Sequence, residues 1–383
     1  MRVAVVAEFY PRAHDPVLGV WAHRQAIVAR DAGADVRVLV LHRPVPPRAT
    51  RARDVPRALA TLARQPRRAT LDGIEVQYVR FLAPPRPRSY GSWGAWAAPS
   101  LARALRDLRE RFAFDLVHAH NAVPAGDAVR RAGIAAPLVV SVHGGDVYFT
   151  AERSRRGRRA VNDTFAAARL VVANSKGIEA KARALGATRT RVVHLGTDLP
   201  PAREGIASDP PVLVTVGHLV ARKRHEDVLR ALALLPDARY LIVGDGPERA
   251  GIERLARELG VADRVELTGQ LPHEQALRRA RACSVFVLPS VEEAFGVAYV
   301  EAMAGGLPAI GVRGEPGPEE IAAQGGGIAL VPPRDPRALA QAIERALADP
   351  QLGSQARATV ERAFTWERCG RETLAAYEEA LRT

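Results

Sequence analysis

Short aliphatic runs alternate with stretches of helical periodicity from one end of this chain to the other. Val3–Ala7 precedes a helical stretch at Trp21–Ala32, which precedes Val36–Leu41. After an irregular region rich in proline and arginine come Leu116–His118, Leu138–Val142 and Leu170–Ala173, each followed by helix-compatible sequence. These runs are apolar throughout instead of alternating, which is the pattern of strands buried on both faces. It predicts parallel sheets covered by helices.

The alternation stops at Gly196–Pro211, where Pro200, Pro201, Pro210 and Pro211 mark an extended connection. It restarts with Val212–Val216, a helix near Glu226–Leu235, Tyr240–Val243, a helix near Glu248–Leu259 and Val265–Leu267. Val285–Leu288, Ala309–Val312 and Ile328–Val331 complete the second set. The expected fold is α/β: two Rossmann-like, doubly wound domains facing across a cleft. The boundaries expected are 1–198 for the first domain, 199–211 for the linker and 212–364 for the second domain. A helical tail at 365–383 is open to crossing back onto the first half. Ligands in such sheets bind beyond the carboxyl ends of the strands.

At 383 residues, with 47% hydrophobic and 25% charged positions, the chain has room for two ordinary cores and is not a disordered polymer. The net charge of +13 changes the picture by pointing to an anionic partner. Nucleic acid is disfavoured, because no recognised nucleic-acid module accompanies the charge and lysine occurs only at 176, 181 and 223. The region Arg43–Arg111, where arginines outnumber acids and surround Tyr90, Trp93 and Trp96, suits either a solvated insertion or docking on anionic lipid. Cys283 and Cys369 make no disulfide framework or zinc spacing. The N-terminus reads as a strand, not a signal peptide, and no apolar run reaches the roughly 18 residues of a membrane span. A cytoplasmic protein is therefore expected, with peripheral contact at the inner membrane face.

Three stretches carry chemistry. Glu293-Ala-Phe-Gly-Val-Ala-Tyr-Val-Glu301 follows a strand and opens a helix around Gly296. As a helix this would set its two carboxylates just over two turns apart on roughly one side, the first at the entrance and the second deeper. The N–H groups at Phe295, Gly296 and Val297 would open the helix and meet a phosphate. Gly217-His-Leu-Val-Ala-Arg-Lys-Arg224 follows another strand, and Arg222, Lys223 and Arg224 are placed to neutralise a diphosphate. Each charged hydrogen bond there is worth about 1.5–3 kcal/mol. Gly244-Asp-Gly-Pro-Glu248 reads equally as ligand contact or as turn plus helix cap, and Thr268-Gly269 ends a strand where a base would meet the backbone.

In this order and spacing these elements resemble the second domain of the retaining glycosyltransferases of family 4, which have the GT-B fold. The resemblance covers essentially the whole chain. In the first half, residues 16–26 look like that family's glycine loop, and His118-Ala-His120-Asn121 and Val142-His143-Gly-Gly-Asp146 look like its acceptor-side and sugar-side elements. The transferases that build cell-surface polysaccharides, teichuronic-acid types included, are the subset most resembled. The resemblance implies a nucleotide-sugar donor, UDP- or GDP-linked, as a substrate and no separate cofactor. The acceptor it implies is a hydroxyl, lipid-linked or free. Lys223 and Arg222 would bind the diphosphate with Gly217, His218 and the Gly296 and Val297 backbone. Glu301 would hold the ribose and Glu293 the sugar hydroxyls. His143 would contact the sugar near the reacting carbon, Gly19 would let the donor approach, and His120 and Asp146 would orient the acceptor. His218 departs from the arginine many relatives carry after the loop glycine, which would make diphosphate binding pH-sensitive.

No Asp-x-Asp pair occurs, so a metal-independent reaction with front-face attack is expected. Two other readings remain open at this point: a nucleotide-sugar epimerase on the same architecture, and a non-catalytic protein that binds anionic surfaces.

Overall fold

The computed structural model describes residues 1–46, 50–201 and 209–382. The chain forms two compact units, one made of Met1–His194 with Trp366–Thr383 and the other of Leu195–Thr365. The expected linker at 199–211 falls partly on 202–208, which lie outside the described residues. Leu195–Asp198 belong with the second unit.

The first unit begins β1 (Arg2–Ala7), α1 (Val20–Asp31), β2 (Asp35–His42), α2 (Val55–Ala63), β3 (Arg68–Leu71), β4 (Ile74–Arg80) and α3 (Trp93–Arg111). It continues with β5 (Leu116–His120), α4 (Asp127–Ala132), β6 (Leu138–Val142), α5 (Ala151–Arg153), α6 (Arg155–Ala167), β7 (Leu170–Ala173), α7 (Lys176–Ala184) and β8 (Thr190–Val192). The strands form one sheet in the order β3-β4-β2-β1-β5-β6-β7-β8. All neighbours are parallel except the β3–β4 pair. Val3, Ala4, Val5, Val6 and Ala7 are fully buried, as a central parallel strand requires.

The arginine-rich region, expected to be irregular, is ordered into β3, β4 and α3. Ile74, Val76 and Tyr78 of β4 point into the core while Glu75 and Gln77 are partly exposed. That alternation of period two puts an amphipathic strand near the sheet edge. In α3, Ala97, Leu101, Ala104, Leu105 and Leu108 supply a helical apolar stripe despite Pro99. Ser154 and Ser175 cap α6 and α7 through their hydroxyls, which accept from Gly157 N–H at 3.0 Å and Ile178 N–H at 3.3 Å.

The second unit contains β9 (Val212–Val216), α8 (His225–Leu232), β10 (Arg239–Val243), α9 (Arg249–Glu258), β11 (Val265–Gly269), α10 (His273–Arg281) and β12 (Val285–Val287). Next come α11 (Val297–Ala304), β13 (Ala309–Val312), α12 (Pro316–Ala322), β14 (Ile328–Val331), α13 (Pro336–Ala348) and α14 (Leu352–Ala363). Its six strands are all parallel, in the order β11-β10-β9-β12-β13-β14. The order reverses at β9 and β12, so the loops leaving these strands splay apart and leave room for a ligand.

The last helix, α15 (Trp366–Arg382), belongs to the first unit and packs along α1. Gly370 lets it come close, because a Cβ there would strike the Val28 carbonyl. Gln25 donates to Thr373 at 3.1 Å, and the Arg24 guanidinium lies over the Trp366 ring. Among the described residues no helix is long and apolar enough to cross a membrane.

Candidate functional site

In the second unit the site is assembled from the loops that leave β9 and β12. After β9 the chain passes Gly217 and the exposed His218, then makes a single tight turn at Ala221–Lys223. Arg224 in the left-handed region, at φ 55°, turns it into α8. The turn is braced from beside: Gly217 N–H donates to Val243 O at 2.9 Å, Leu219 N–H to Asp245 O at 3.0 Å and Glu248 N–H to Leu219 O at 3.1 Å. Gly244 and Gly246 permit this, since a side chain at either would strike the 217–219 backbone. The Gly-Asp-Gly-Pro-Glu segment is thus a support for the basic loop. Gly269, at φ 74°, ends β11 and accepts from Gly244 N–H at 3.0 Å.

The basic loop meets a carboxylate. Lys223 Nζ lies 2.6 Å from Glu293 Oε2, Arg222 Nη1 lies 3.7 Å from the same oxygen, and Ser290 Oγ donates to it at 2.9 Å. Arg222 O accepts from Val291 N–H at 2.8 Å, which joins the two loops through their backbones. Burial pushes the Glu293 carboxyl up, but Lys223, Arg222 and Ser290 outweigh it and hold the group below the usual carboxylate range.

Glu293 stands at the helix entrance, as expected, in the loop before α11 and three residues ahead of the N-cap Gly296. The eight-residue spacing to Glu301 is therefore not a helical repeat. The loop holds its shape through Glu292 in the left-handed region at φ 56°, and through Glu315, whose Oε2 accepts from Glu293 N–H at 2.9 Å. Gly296 is required at φ 80°, where an added Cβ would hit the Tyr299 ring. Phe295 is buried and meets Phe364 edge-on, with centroids 5.6 Å apart. Tyr299 N–H donates back to Gly296 O at 2.9 Å, while the N–H groups of Val297 and Ala298 at the very start of α11 precede the first helical bond and face the position an anion would take.

Glu301 lies within α11, its side chain 16% exposed, and His273 Nε2 is 3.5 Å from Oε1. Burial, then the charge of Asp198, pushes the Glu301 carboxyl up to about 8. Ser290, Glu315 and His273 escaped the sequence reading: each reaches the site from a separate element and carries no motif.

In the first unit, the segments that leave β1, β5 and β6 at their carboxyl ends carry the other expected residues. Gly19 caps α1 in the left-handed region at φ 65°, and a Cβ there would collide with the backbone of Phe9 and Tyr10. His120 at the end of β5 is buried, and its Nδ1 is 3.0 Å from His143 Nε2, just past β6. Burial pushes the His143 imidazole down to about 4. Burial pushes His120 well down too, with the charges of His118 and His143 adding to it. Trp21 packs edge-on against His143. Both oxygens of buried Asp146 hold backbone, accepting from Ala122 N–H at 2.9 Å and Val123 N–H at 3.1 Å. Burial pushes the Asp146 carboxyl up to about 7, partly offset by those two N–H groups. Two cavities adjoin, one of about 770 Å³ lined by Arg12, Arg43, Arg57 and Arg86 among others, and one of about 350 Å³ reaching Asn121, Asp146 and Arg153. Among the described residues no group of three or more His, Cys, Asp or Glu is placed to hold a metal ion.

Known proteins share this organisation. Residues 18–200 match the model of glycosyltransferase family 4, and residues 198–366 match that of glycosyl transferases group 1. A Bacillus subtilis protein named for teichuronic acid biosynthesis, the glycosyltransferase TuaC, is 26% identical over 90% of this chain and 89% of its own. The sucrose-phosphate synthase of Thermosynechococcus elongatus superposes with a TM-score of 0.80 at 23% identity, covering 100% of this chain and 99% of that one. Anabaena HepE, solved in complex with UDP-glucose, superposes with a TM-score of 0.70 at 21% identity over 99% of both chains. The two parallel sheets are those of the GT-B fold, and the chain belongs to the family 4 glycosyltransferases of that fold.

Proposed function

We propose that this chain is a retaining hexosyltransferase that moves a sugar from a UDP- or GDP-sugar to a hydroxyl acceptor. The product would be a cell-surface polysaccharide, a glycolipid or another glycoconjugate, and neither metal nor cofactor takes part. The observation that carries the reading is the convergence of Lys223, Arg222 and the start of α11 on one buried carboxylate, Glu293. Cations and free N–H groups held against a helix entrance are what a departing diphosphate needs. They stabilise the charge it gains as the sugar–phosphate bond breaks, so they act more strongly on the transition state than on the bound donor. Glu293 accepts from the sugar hydroxyls and Glu301 from the ribose, Gly217 and His218 flank the diphosphate, and the Gly269 turn borders the base. With Lys223, Arg222 and Ser290 all on Glu293 Oε2, this carboxylate is a holding group, not a nucleophile. In the first unit His143 contacts the sugar, Gly19 clears its approach, and Asp146 shapes the acceptor side through the backbone it holds.

The HepE complex with UDP-glucose and the teichuronic-acid name of the Bacillus relative support the donor class and the product class. Exposed Leu59, Leu82 and Trp96 in an arginine-rich stretch support peripheral contact with the inner, cytoplasmic face of an anionic membrane. Liposome co-sedimentation that ignores anionic lipid content would remove that contact.

The test is a thermal-shift screen against UDP, GDP, ADP and their sugars, repeated on Glu301→Ala and Lys223→Ala. A rise with one nucleotide that both variants lose supports the reading and names the base. No rise with any nucleotide overturns it.

A further inference from the structure

Three histidines line up at the carboxyl ends of β5 and β6, and the proposed reaction uses only the outermost. His118 and His120 are two apart on β5 and point to the same face. Their ring centroids are 4.5 Å apart. His118 is pinned at both nitrogens, Nδ1 at 2.8 Å from the Tyr377 hydroxyl of α15 and Nε2 at 2.7 Å from Ser141 Oγ of β6. His120 and His143 meet at two nitrogens 3.0 Å apart, with ring planes 8° apart and centroids 5.2 Å apart. The nitrogens are the close contact and the planes nearly coincide, so the rings meet edge to edge, as a linear N–H···N bond requires.

We infer that His120 is a positioning residue for His143: by this single bond it sets the His143 ring and decides which His143 nitrogen carries the proton. The inference rests on the reading that His143 faces the sugar. Two neutral imidazoles can share only one proton between facing nitrogens. Whichever ring donates, the outer nitrogens are then forced to differ, one bearing hydrogen and one bare. Those outer atoms, His120 Nε2 and His143 Nδ1, are buried and have no hydrogen-bond partner among the described residues. His143 needs such a hold. It lies beyond the end of β6, and the next residue, Gly144, is in the left-handed region at φ 100°. Nothing in a ladder fixes its ring. His120, by contrast, lies in the strand, paired with Ser141 of β6, and is backed by His118. His118 bonds away from His120, to Tyr377 and Ser141, so the hold on His143 rests on the His120 bond alone.

The experiment uses full-length protein labelled with 15N only at histidine, with long-range proton–nitrogen spectra at pH 7.5 reporting each ring's tautomer. Expected in the wild type is one tautomer for His143. In His120→Ala its signals move to the averaged values of a mixed population. His120→Asn keeps a hydrogen-bonding group where Nδ1 was and returns the His143 signals toward their wild-type positions. Tyr377→Phe disturbs His118 and leaves His143 in one tautomer, so general loosening of the unit does not mimic the effect. Signals of His23 and His42, which lie elsewhere in the first unit with partners of their own, stay fixed throughout and report that this unit is folded. Unchanged His143 signals in His120→Ala, or a mixture already in the wild type, overturn the inference. A second arm follows hydrolysis of UDP-glucose. Turnover is expected to fall roughly 10–100-fold in His120→Ala, by analogy with the loss of the hydrogen-bond partner of a metal-bound histidine. KM stays within about twofold, and His120→Asn recovers most of the rate. A fall in His120→Ala confined to KM would overturn positioning in favour of direct donor binding. Absence of hydrolysis in the wild type counts against the donor reading alone, and the spectra still decide the histidine pair.

Discussion

Lys223 and Glu293 occupy the second unit's site as each other's partner, with side chains only 11% and 9% exposed. Breaking a buried pair by removing one member costs about 3–5 kcal/mol when the survivor is left alone. Here Arg222 and Ser290 remain on Glu293, so Lys223→Ala should fall below that range and lower the melting temperature by a few degrees. The double variant Lys223→Ala/Glu293→Gln should recover most of that loss, because no buried charge is stranded, and still show no nucleotide response. Equal melting in single and double variants would mean that the pair contributes nothing. Glu301 gives a pH signature. Its folded pKa of about 8 lies above its unfolded value, so the folded state holds the proton longer. Stability contributed by this group is present at low pH and is lost as pH rises from the unfolded carboxylate range through about 8. Glu301→Gln should therefore melt increasingly above wild type between pH 5 and 8 and run parallel beyond, as measured by calorimetry in matched buffers. The Lys223–Glu293 partnership could not be read from the chain: 70 residues separate the two, and only the fold makes them neighbours. The residue types at each loop were legible because strand exits demand glycine and diphosphates demand cations.

At the scale of elements, α11 depends on its entry. Gly296→Ala puts a Cβ into a left-handed backbone, a penalty of about 1–2 kcal/mol, before the clash with Tyr299 is counted. The variant should be destabilised by more than that penalty and should lose nucleotide-induced stabilisation, since the helix start would shift. Ser175→Ala is the contrasting case, a lost cap on α7 costing about 1 kcal/mol with the nucleotide response intact. Equal nucleotide responses in the two variants would separate α11 from the site. Most strands were readable because continuous aliphatic runs have few other uses. The β3–β4 pair and α3 were not, for a physical reason. Glu75 and Gln77 interrupt the apolar positions of β4, and Pro99 sits within α3, so each locally opposes the element that tertiary burial enforces. In the same way Glu293 and Glu301 suggested a helical repeat, whereas the left-handed Glu292 and Gly296 put the first in a loop.

For the molecule as a whole, the notable contact is between the chain's two ends. Tyr377, Cys369 and Ala376 of α15 are buried in the first unit, and Trp366 nearly so. A chain ending at Thr365 would expose this face and free His118 Nδ1. It should lose protection from hydrogen exchange in β5, β6 and α1 while the second unit's β9, β10 and β12 remain protected. Uniform loss across both sheets, or none, would contradict this division. The helical character of the tail was legible in its periodicity; its destination was not, because α15 packs against residues some 350 positions earlier.

That arrangement has a consequence for synthesis. The second unit is in effect an insertion, interrupting the first between His194 and Trp366, and the two crossing points run side by side where Thr197 N–H meets Phe364 O at 2.9 Å. Domains emerging from a ribosome usually mature in the order they are made. Here the sheet begun first is completed last, because its outer helix α15 is translated only after the whole of the inserted unit. Until α15 emerges, the face of α1 that takes Gly370 and Thr373 stays uncovered, so a nascent chain presents an apolar surface that the finished fold does not have.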